Sequence, residues 1–402
     1  MKYLLMRLKR FCGFLAGLVF FIAGIFKLLD PVGAGLVMKE YMDFFHLGFM
    51  DVIAKPSAVV LAFLETLIGA ALVTGIWRRV SALAAFAFQA FFTVVTLLLL
   101  IFNPEMDCGC FGEAIHLSHG ETFIKNLALL ALLAAFTFPL RSIGAPLKRK
   151  YVSFGIVTLS VIAFALYSWI RIPLVDFTAY RPAVALQAGS AFGLAEEDVY
   201  EAVFIYEKDG NSKEFSLDEL PDSTWTFIET KTVVREELYD KSVELSFYDE
   251  SGEYQDTLAV NGKVMVISLY NPSAKSKWKS AASFIEVAKV SGFRPLLLVS
   301  CSPEQMQALY EKYPEQTETI RDVLYYSDYK TLITMNRSNG GLTYFSDGYL
   351  VRKWASGDLP DESELNQISE GDDTEIIIES DSQGRLAFQG FMLYVFAIML
   401  LL

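Results

Sequence analysis

Cys108 and Cys110, with one glycine between them in the stretch NPEMDCGCFG (103–112), are the residues of this chain best suited to chemistry. Two thiols this close can exchange with a disulfide, clip a metal, or cap a loop. A one-residue spacer closes a small, strained ring, and strained, accessible disulfides are the labile or catalytic ones. Lys125, one helical turn into the following apolar run, favours a thiolate if it turns toward the pair. A zinc site wants four ligands. His116 and His119 follow the pair, but no carboxylate or further thiol completes a recognisable spacing, and no metal is assigned. Ser118 or His119, just before GETF, reads instead as a helix cap.

A second group of candidates is intramembrane. Glu65 lies within an apolar run, where a carboxylate is costly unless it is paired, protonated or facing a cavity. Lys27 and Gln89 are its possible partners, and a Glu65–Lys27 pair serves either as a structural lock or in handling a proton or ligand. Beside a quinone such a carboxylate would be a natural proton relay, although no sequence feature fixes a quinone pocket. Cys301 is a lone thiol, read as a small apolar side chain with a mixed disulfide to Cys108 or Cys110 as the alternative; Cys12 reads as inert packing.

The elements that must carry these residues are mostly membrane-spanning. The chain has 402 residues, 53% of them apolar, a mean hydropathy of +0.35 and a net charge of −13. Apolar runs long enough to cross a bilayer occur near 11–29, 57–77, 80–102, 121–140 and 151–170. A sixth, 387–402, is only 16 residues, short for a full span. The first run follows Lys2, Arg7, Lys9 and Arg10 but lacks a clean small-x-small cleavage site, so it reads as a retained anchor. Basic residues cluster at the N-terminus, at Arg78–Arg79 and at 141–150, whereas loops 30–56 and 103–120 carry only Lys39 and Lys55. The positive-inside rule then places the N-terminus in the cytoplasm of an inner membrane and the cysteine pair outside.

Residues 178–386 differ in kind, with 19 Lys/Arg against 37 Asp/Glu. No basic footprint for nucleic acid exists in either part. VFIYEKDGNSKEFSL (203–217) predicts a hairpin, KVMVISLY (263–270) and RPLLLVS (294–300) buried strands, and the segments between and after them helices, a strand near 323–327 and a hairpin at 341–354. From about 357 to 386 the sequence is acidic and reads as a flexible tether.

Three motifs in order, FIAGIFKLLDP (21–31), LETLIGAALVTGIWRR (64–79) and DCGCFGE with ETFIKNLALL (107–130), make the first 145 residues resemble the DoxX/MauE family of four-helix membrane proteins. The resemblance implies an up-down bundle and, from the MauE side, which is tied to methylamine utilisation, a role in periplasmic thiol–disulfide chemistry. Residues 258–356 resemble an extracytoplasmic thioredoxin-like domain of the TlpA type. Where such a domain carries its dithiol this chain has NPSAKSKW (271–278), and where its cis-proline belongs it has SNGG (338–341). The resemblance thus supports the fold and argues against catalysis by that domain.

The expected fold is therefore an α-helical membrane bundle with an α/β thioredoxin-like soluble domain. Its parts are a four-helix region (1–145), a fifth span and linker (146–177), a β-rich lead-in (178–257), the thioredoxin-like domain (258–356), an acidic linker (357–386) and a short terminal span (387–402). The expected function is thiol–disulfide or electron transfer to a periplasmic thiol protein through Cys108 and Cys110, with Glu65, Lys27 and Lys125 in support. The alternative is a non-catalytic recruitment factor. The only other partner expected is membrane lipid, and nucleic acid is not one.

Overall fold

The computed structural model describes residues 2–138, 147–187, 200–208, 211–215, 221, 225–234, 242–314 and 318–401. They form two compact units, one of residues 1–177 with 381–402 and the other of residues 178–380.

The first unit is helical. Helix α1 (Lys2–Leu29) ends at Asp30, whose carboxylate accepts hydrogen bonds from the Val32 and Gly33 amides and so caps α2 (Pro31–Phe44). A 3-10 turn (Gly48–Ile53) leads into α3 (Ala54–Thr74), which stops where Gly75 turns left-handed. There follow α4 (Arg78–Phe102), strand β1 (Cys110–Glu113), α5 (His119–Thr137) and α6 (Lys148–Ile170). Together with the C-terminal helix (Asp373–Leu401), six helices among the described residues are long and apolar enough to cross a membrane. Residues 30–56, expected as a loop, instead contain α2 and the 3-10 turn.

Helices α1 and α3 pack closely, because a Cβ on Gly69 would run into the Phe21 backbone nitrogen. Phe21, Ile25 and Leu28 bury against Ala62, Val161, Phe164 and Val395, while Ala16 and Phe20 bury against Ala85 and Leu133. Ile101, Ile124, Leu159 and Leu393 are bare on the outer faces, as lipid-facing side chains must be. The basic segments meet at one end of the bundle. There Lys9 Nζ donates to the Phe138 carbonyl, Trp77 packs on Tyr151, and Lys150 Nζ donates to Met399 O at 3.0 Å.

The second unit is built on strands and short helices. In chain order they are β2 (Ala185–Gln187), β3 (Tyr200–Lys208), β4 (Asn211–Phe215), β5 (Thr226–Val234), β6 (Ser242–Glu244), α7 (Thr257–Val260), β7 (Lys263–Leu269), α8 (Lys275–Val290), β8 (Arg294–Val299), α9 (Pro303–Lys312), β9 (Leu324–Tyr326), α10 (Tyr329–Met335), β10 (Gly341–Ser346), β11 (Tyr349–Trp354) and α11 (Glu362–Glu370). The main sheet has the order β6-β2-β11-β10-β7-β8-β9, and β4-β3-β5 form a separate small sheet. Strand β7 runs parallel to β8, with Val266 beside Leu296, and antiparallel to β10, with Val266 opposite Thr343. Both faces of β7 are covered, which explains its continuous apolar run. Met265, Ile267 and Leu269 bury with Trp278, Phe284 and Met306; Val264 and Val266 bury with Phe247, Leu332 and Met335.

Within residues 357–386, expected as a flexible acidic tether, 362–370 and 373–386 are helical in the structure. Asp361 caps α11, accepting from the Glu364 amide, and Leu365 and Ile368 pack into the core behind β7. Asp373 accepts hydrogen bonds from Tyr344 Oη at 2.8 Å and Ser346 Oγ at 2.6 Å, fixing the start of the C-terminal helix on β10. That helix has 29 residues, about 44 Å at 1.5 Å each, so the 16-residue segment at 387–402 is the end of a long helix rather than a short one. The sequence hid this because Asp, Glu and Ser dominate the exposed side of these turns, while the apolar positions are few and widely spaced.

Candidate functional site: a cysteine pair between two cavities

The loop from α4 to α5 is shaped by turns and clasped from both sides. Gly109 sits at φ +57°, and a Cβ there would collide with Val37 of α2, so this position requires glycine twice over. Gly112, also left-handed, donates its amide to Gly109 O at 3.2 Å and closes the turn. Tyr41 Oη donates to Cys108 O at 2.9 Å, tying the pair to α2. Burial, with added repulsion from the two cysteines, pushes the Tyr41 phenol far above its ordinary range and keeps it a donor.

The histidines brace the loop. His119 lies 3.3 Å from Asn103 Oδ1 and 3.0 Å from Met106 O, while His116 approaches Asp107 at 3.4 Å on the exposed surface. Ser118 caps α5 in a reciprocal capping box with Glu121. Among the described residues no three His, Cys, Asp or Glu side chains gather as a metal site would need.

Both thiols are free, and they differ. Cys108 is buried and Cys110 only partly so. Burial raises the Cys108 thiol above its ordinary range; the Thr122 hydroxyl and, more weakly, Lys125 act against that shift. Thr122 Oγ1 is buried and has no hydrogen-bond partner at normal distance, so it is available to a thiolate. Lys125 Nζ lies 4.8 Å above the Phe111 ring.

Two cavities meet at this pair. The smaller, about 30 Å³, is lined by Cys110, Lys27, Glu65, Gln89, Lys125 and Asn126 among others. Lys27 Nζ and Glu65 Oε2 are 2.6 Å apart, with side chains 17% and 11% exposed. The structure therefore brings Cys110, Lys27, Glu65 and Lys125 to one place. The larger cavity, about 280 Å³, has Lys27 and Cys108 through Cys110 on its wall, and is otherwise lined mainly by apolar side chains of α2, α3 and α4, Met38, Leu61 and Phe92 among them.

Sequence reasoning missed Asn126, Thr96 and Tyr41. Asn126 Nδ2 donates to Thr96 Oγ1 at 3.2 Å, and Gln89 Nε2 to Asn126 O at 3.3 Å, so α4 and α5 are joined by polar groups beside the thiols. The signal for Asn126 was its place inside the apolar run IKNLALL, where an amide needs a partner. Tyr41 had no such signal.

The other candidates lie elsewhere. Cys12 packs with the cluster around Leu133. Cys301, in the second unit, packs against its core, and burial pushes its thiol up to about 11. The loop after β7, where a thioredoxin-like domain carries its dithiol, is closed by hydrogen bonds. Asn271 N donates to Asn339 Oδ1 at 2.8 Å, Asn339 Nδ2 returns a bond to Asn271 O at 3.0 Å, and Trp278 Nε1 donates to Pro272 O at 2.6 Å.

Comparison with known proteins agrees with this division. Residues 4–139 match the family described as Methylamine utilisation protein MauE, and residues 200–237 match a domain of unknown function. Protein TlpB of Flavobacterium psychrophilum is 27% identical over 169 residues, which is 41% of this chain and 45% of that protein, so the match spans about half the relative's length. No solved structure matches. The parallel β7–α8–β8 unit followed by the antiparallel β10–β11 hairpin and α11 is the thioredoxin-like order. The chain thus joins a MauE-like membrane region, residues 4–139, to a thioredoxin-like domain.

Proposed function

We propose that this membrane protein exchanges electrons with a periplasmic thiol protein through Cys108 and Cys110. The observation behind this reading is the position of the pair: one accessible and one buried thiol, at the junction of an apolar cavity and a charged one. The N-terminus would face the cytoplasm of an inner membrane, since the basic segments share one end of the bundle and the cysteine loop has few positive charges.

In the oxidising direction, a partner thiolate attacks Cys110 Sγ of a Cys108–Cys110 disulfide. The S–S bond breaks, Cys108 leaves with the electron pair, and it takes up a proton. Burial makes Cys108 the poorer leaving thiolate, and the Thr122 hydroxyl offsets part of that cost. The partner's second thiolate then attacks its own sulfur in the mixed disulfide and releases Cys110, which is protonated in turn. The partner loses two electrons and two protons, and the cysteine pair gains them. Lys27, Glu65 and Lys125 flank Cys110, where they handle the charge that appears and disappears on its sulfur.

Acid quench of intact cells followed by a mass-shifting maleimide tests the reading. It predicts a mixture of oxidised and reduced wild type, and a disulfide-linked partner trapped by one single Cys→Ser variant. A pair that stays oxidised in mild reductant and traps nothing would sink it. The Asn271–Asn339 closure favours a second reading for the soluble domain alone, that it recruits a partner by its surface without thiol chemistry.

A further inference from the structure

The basic residues of α1, α4 and α6 gather at one end of the bundle, on a surface that owes nothing to the cysteine pair. We infer that this end holds the phosphate of an anionic phospholipid, between the first turns of α4 and α6.

Charge is the first reason. Arg78 and Arg79 open α4, and Lys148, Arg149 and Lys150 open α6. Arg10 of α1 is close enough to Arg78 for the two cations to repel. The chain has no Asp or Glu between Glu65 and Glu105, nor between Glu121 and Asp176, so α4 and α6 bring no carboxylate of their own to this end. A cation in the first turn of a helix also opposes the helix dipole, and an anion from outside the chain relieves both costs. Arg78 Nε donates to Gly75 O at 2.9 Å and Lys150 Nζ to Met399 O at 3.0 Å, whereas Arg79, Lys148 and Arg149 are exposed at the surface.

Two aromatic rings set the depth. Trp77, immediately before α4, packs edge-on against Tyr151 of α6 with ring centroids 6.0 Å apart, and against Phe154 at 5.6 Å. Those contacts tie the two first turns together. Trp77 and Tyr151 are nevertheless exposed, and exposed Trp and Tyr at the end of a spanning helix settle at headgroup level. The cations beside them therefore meet the phosphates. Membrane insertion sorts basic residues to one side wherever they fall in a loop. It does not require that they gather about a pair of packed rings.

Apolar neighbours separate a lipid from a soluble phosphate. Val80 and Val152, within one turn of the rings along α4 and α6, are 67% and 61% exposed. An acyl chain covers that surface, and inorganic phosphate has no use for it. Charge then separates an anionic lipid from a zwitterionic one, because a choline headgroup brings its own cation toward Arg79 and Arg149.

The probe is phosphatidylglycerol with a photoreactive acyl chain, and the full chain is placed in nanodiscs of phosphatidylcholine. We expect label near Val80 and Val152, competed by unlabelled phosphatidylglycerol but not by phosphatidylcholine or millimolar inorganic phosphate, and weakened by added salt. The triple variant Arg79→Gln/Lys148→Gln/Arg149→Gln should need about tenfold more probe for half labelling, at unchanged Tm. Should it fail to fold, Arg149→Gln alone carries the comparison, with a shift of about fivefold. Label spread equally to Ile124 and Leu159, or competed as well by phosphatidylcholine, would mean that any lipid covers this face and would overturn the proposal. Competition by inorganic phosphate would overturn it in favour of a soluble anion. Labelling unchanged in the glutamine variants would show that the cations do not hold the headgroup, and would overturn it as well.

Discussion

The two loops where thiol chemistry is expected contrast sharply. The α4–α5 loop holds Cys108 and Cys110 against two cavities, tied by Tyr41 and turned by Gly109. The loop after β7 holds no cysteine, and Asn271, Asn339 and Trp278 knit it shut. Backbone groups left open at a reactive loop wait for a substrate; here they are satisfied internally. The molecule thus keeps the thioredoxin-like scaffold in one unit and Cys108 and Cys110 in the other.

Substitutions in the two loops test that contrast. The largest effect belongs to the thiols: Cys108→Ser, Cys110→Ser and the double variant should lose exchange to the same floor, about a hundredfold or more below wild type, because the two act as a unit. Stopped-flow exchange with a model dithiol checks this, and Cys301→Ser should leave the rate unchanged. Next is the buried ion pair. Lys27→Met strands Glu65 and should cost about 3–5 kcal/mol, while Lys27→Met with Glu65→Leu should recover most of it, as read by thermal unfolding in detergent. A double variant as unstable as the single would mean the site depends on the charge itself.

Gly109→Ala forces a side chain onto a left-handed backbone and into Val37, at a cost of about 1–3 kcal/mol. Faster iodoacetamide labelling of Cys108 in the folded protein would register the loosened loop. Asn339→Ala should lower the urea midpoint of the second unit by the equivalent of about 1 kcal/mol without altering the redox state of Cys108 and Cys110. A changed redox state would show that the closed loop takes part in the chemistry. The remaining effect is a pH dependence. Burial raises Cys301 from 9.0 to about 11, so the neutral thiol favours the folded form. Its stabilisation is complete below pH 9 and fades as pH rises toward 11, where labelling of Cys301 should accelerate.

Much of this molecule was legible from its sequence. Apolar runs of spanning length, the basic segments between them, and the buried strands KVMVISLY and RPLLLVS follow from local hydrophobicity alone. The Lys27–Glu65 pair was also foreseeable, because two opposite charges in adjacent apolar runs have few other partners. Helix α2 and the helices within 357–386 were not, since their apolar faces are sparse and become helical stripes only when α3 or the core behind β7 is present to cover them. Tyr41 belongs to the same class, being an ordinary tyrosine until α2 folds back over the cysteine loop.

Residue types and their order along the chain show which side chains are able to do chemistry and which segments must leave water. They supply two thiols beside a span, charges that need partners in lipid, and a thioredoxin-like segment without its dithiol. Helix packing brings Cys110, Lys27, Glu65, Gln89, Lys125 and Asn126 to one cavity and closes a second over the same thiols with α2. The reason is physical. Hydrophobicity acts residue by residue and can be read along the chain, whereas a cavity is a shape left between helices whose packing depends on contacts far apart in sequence.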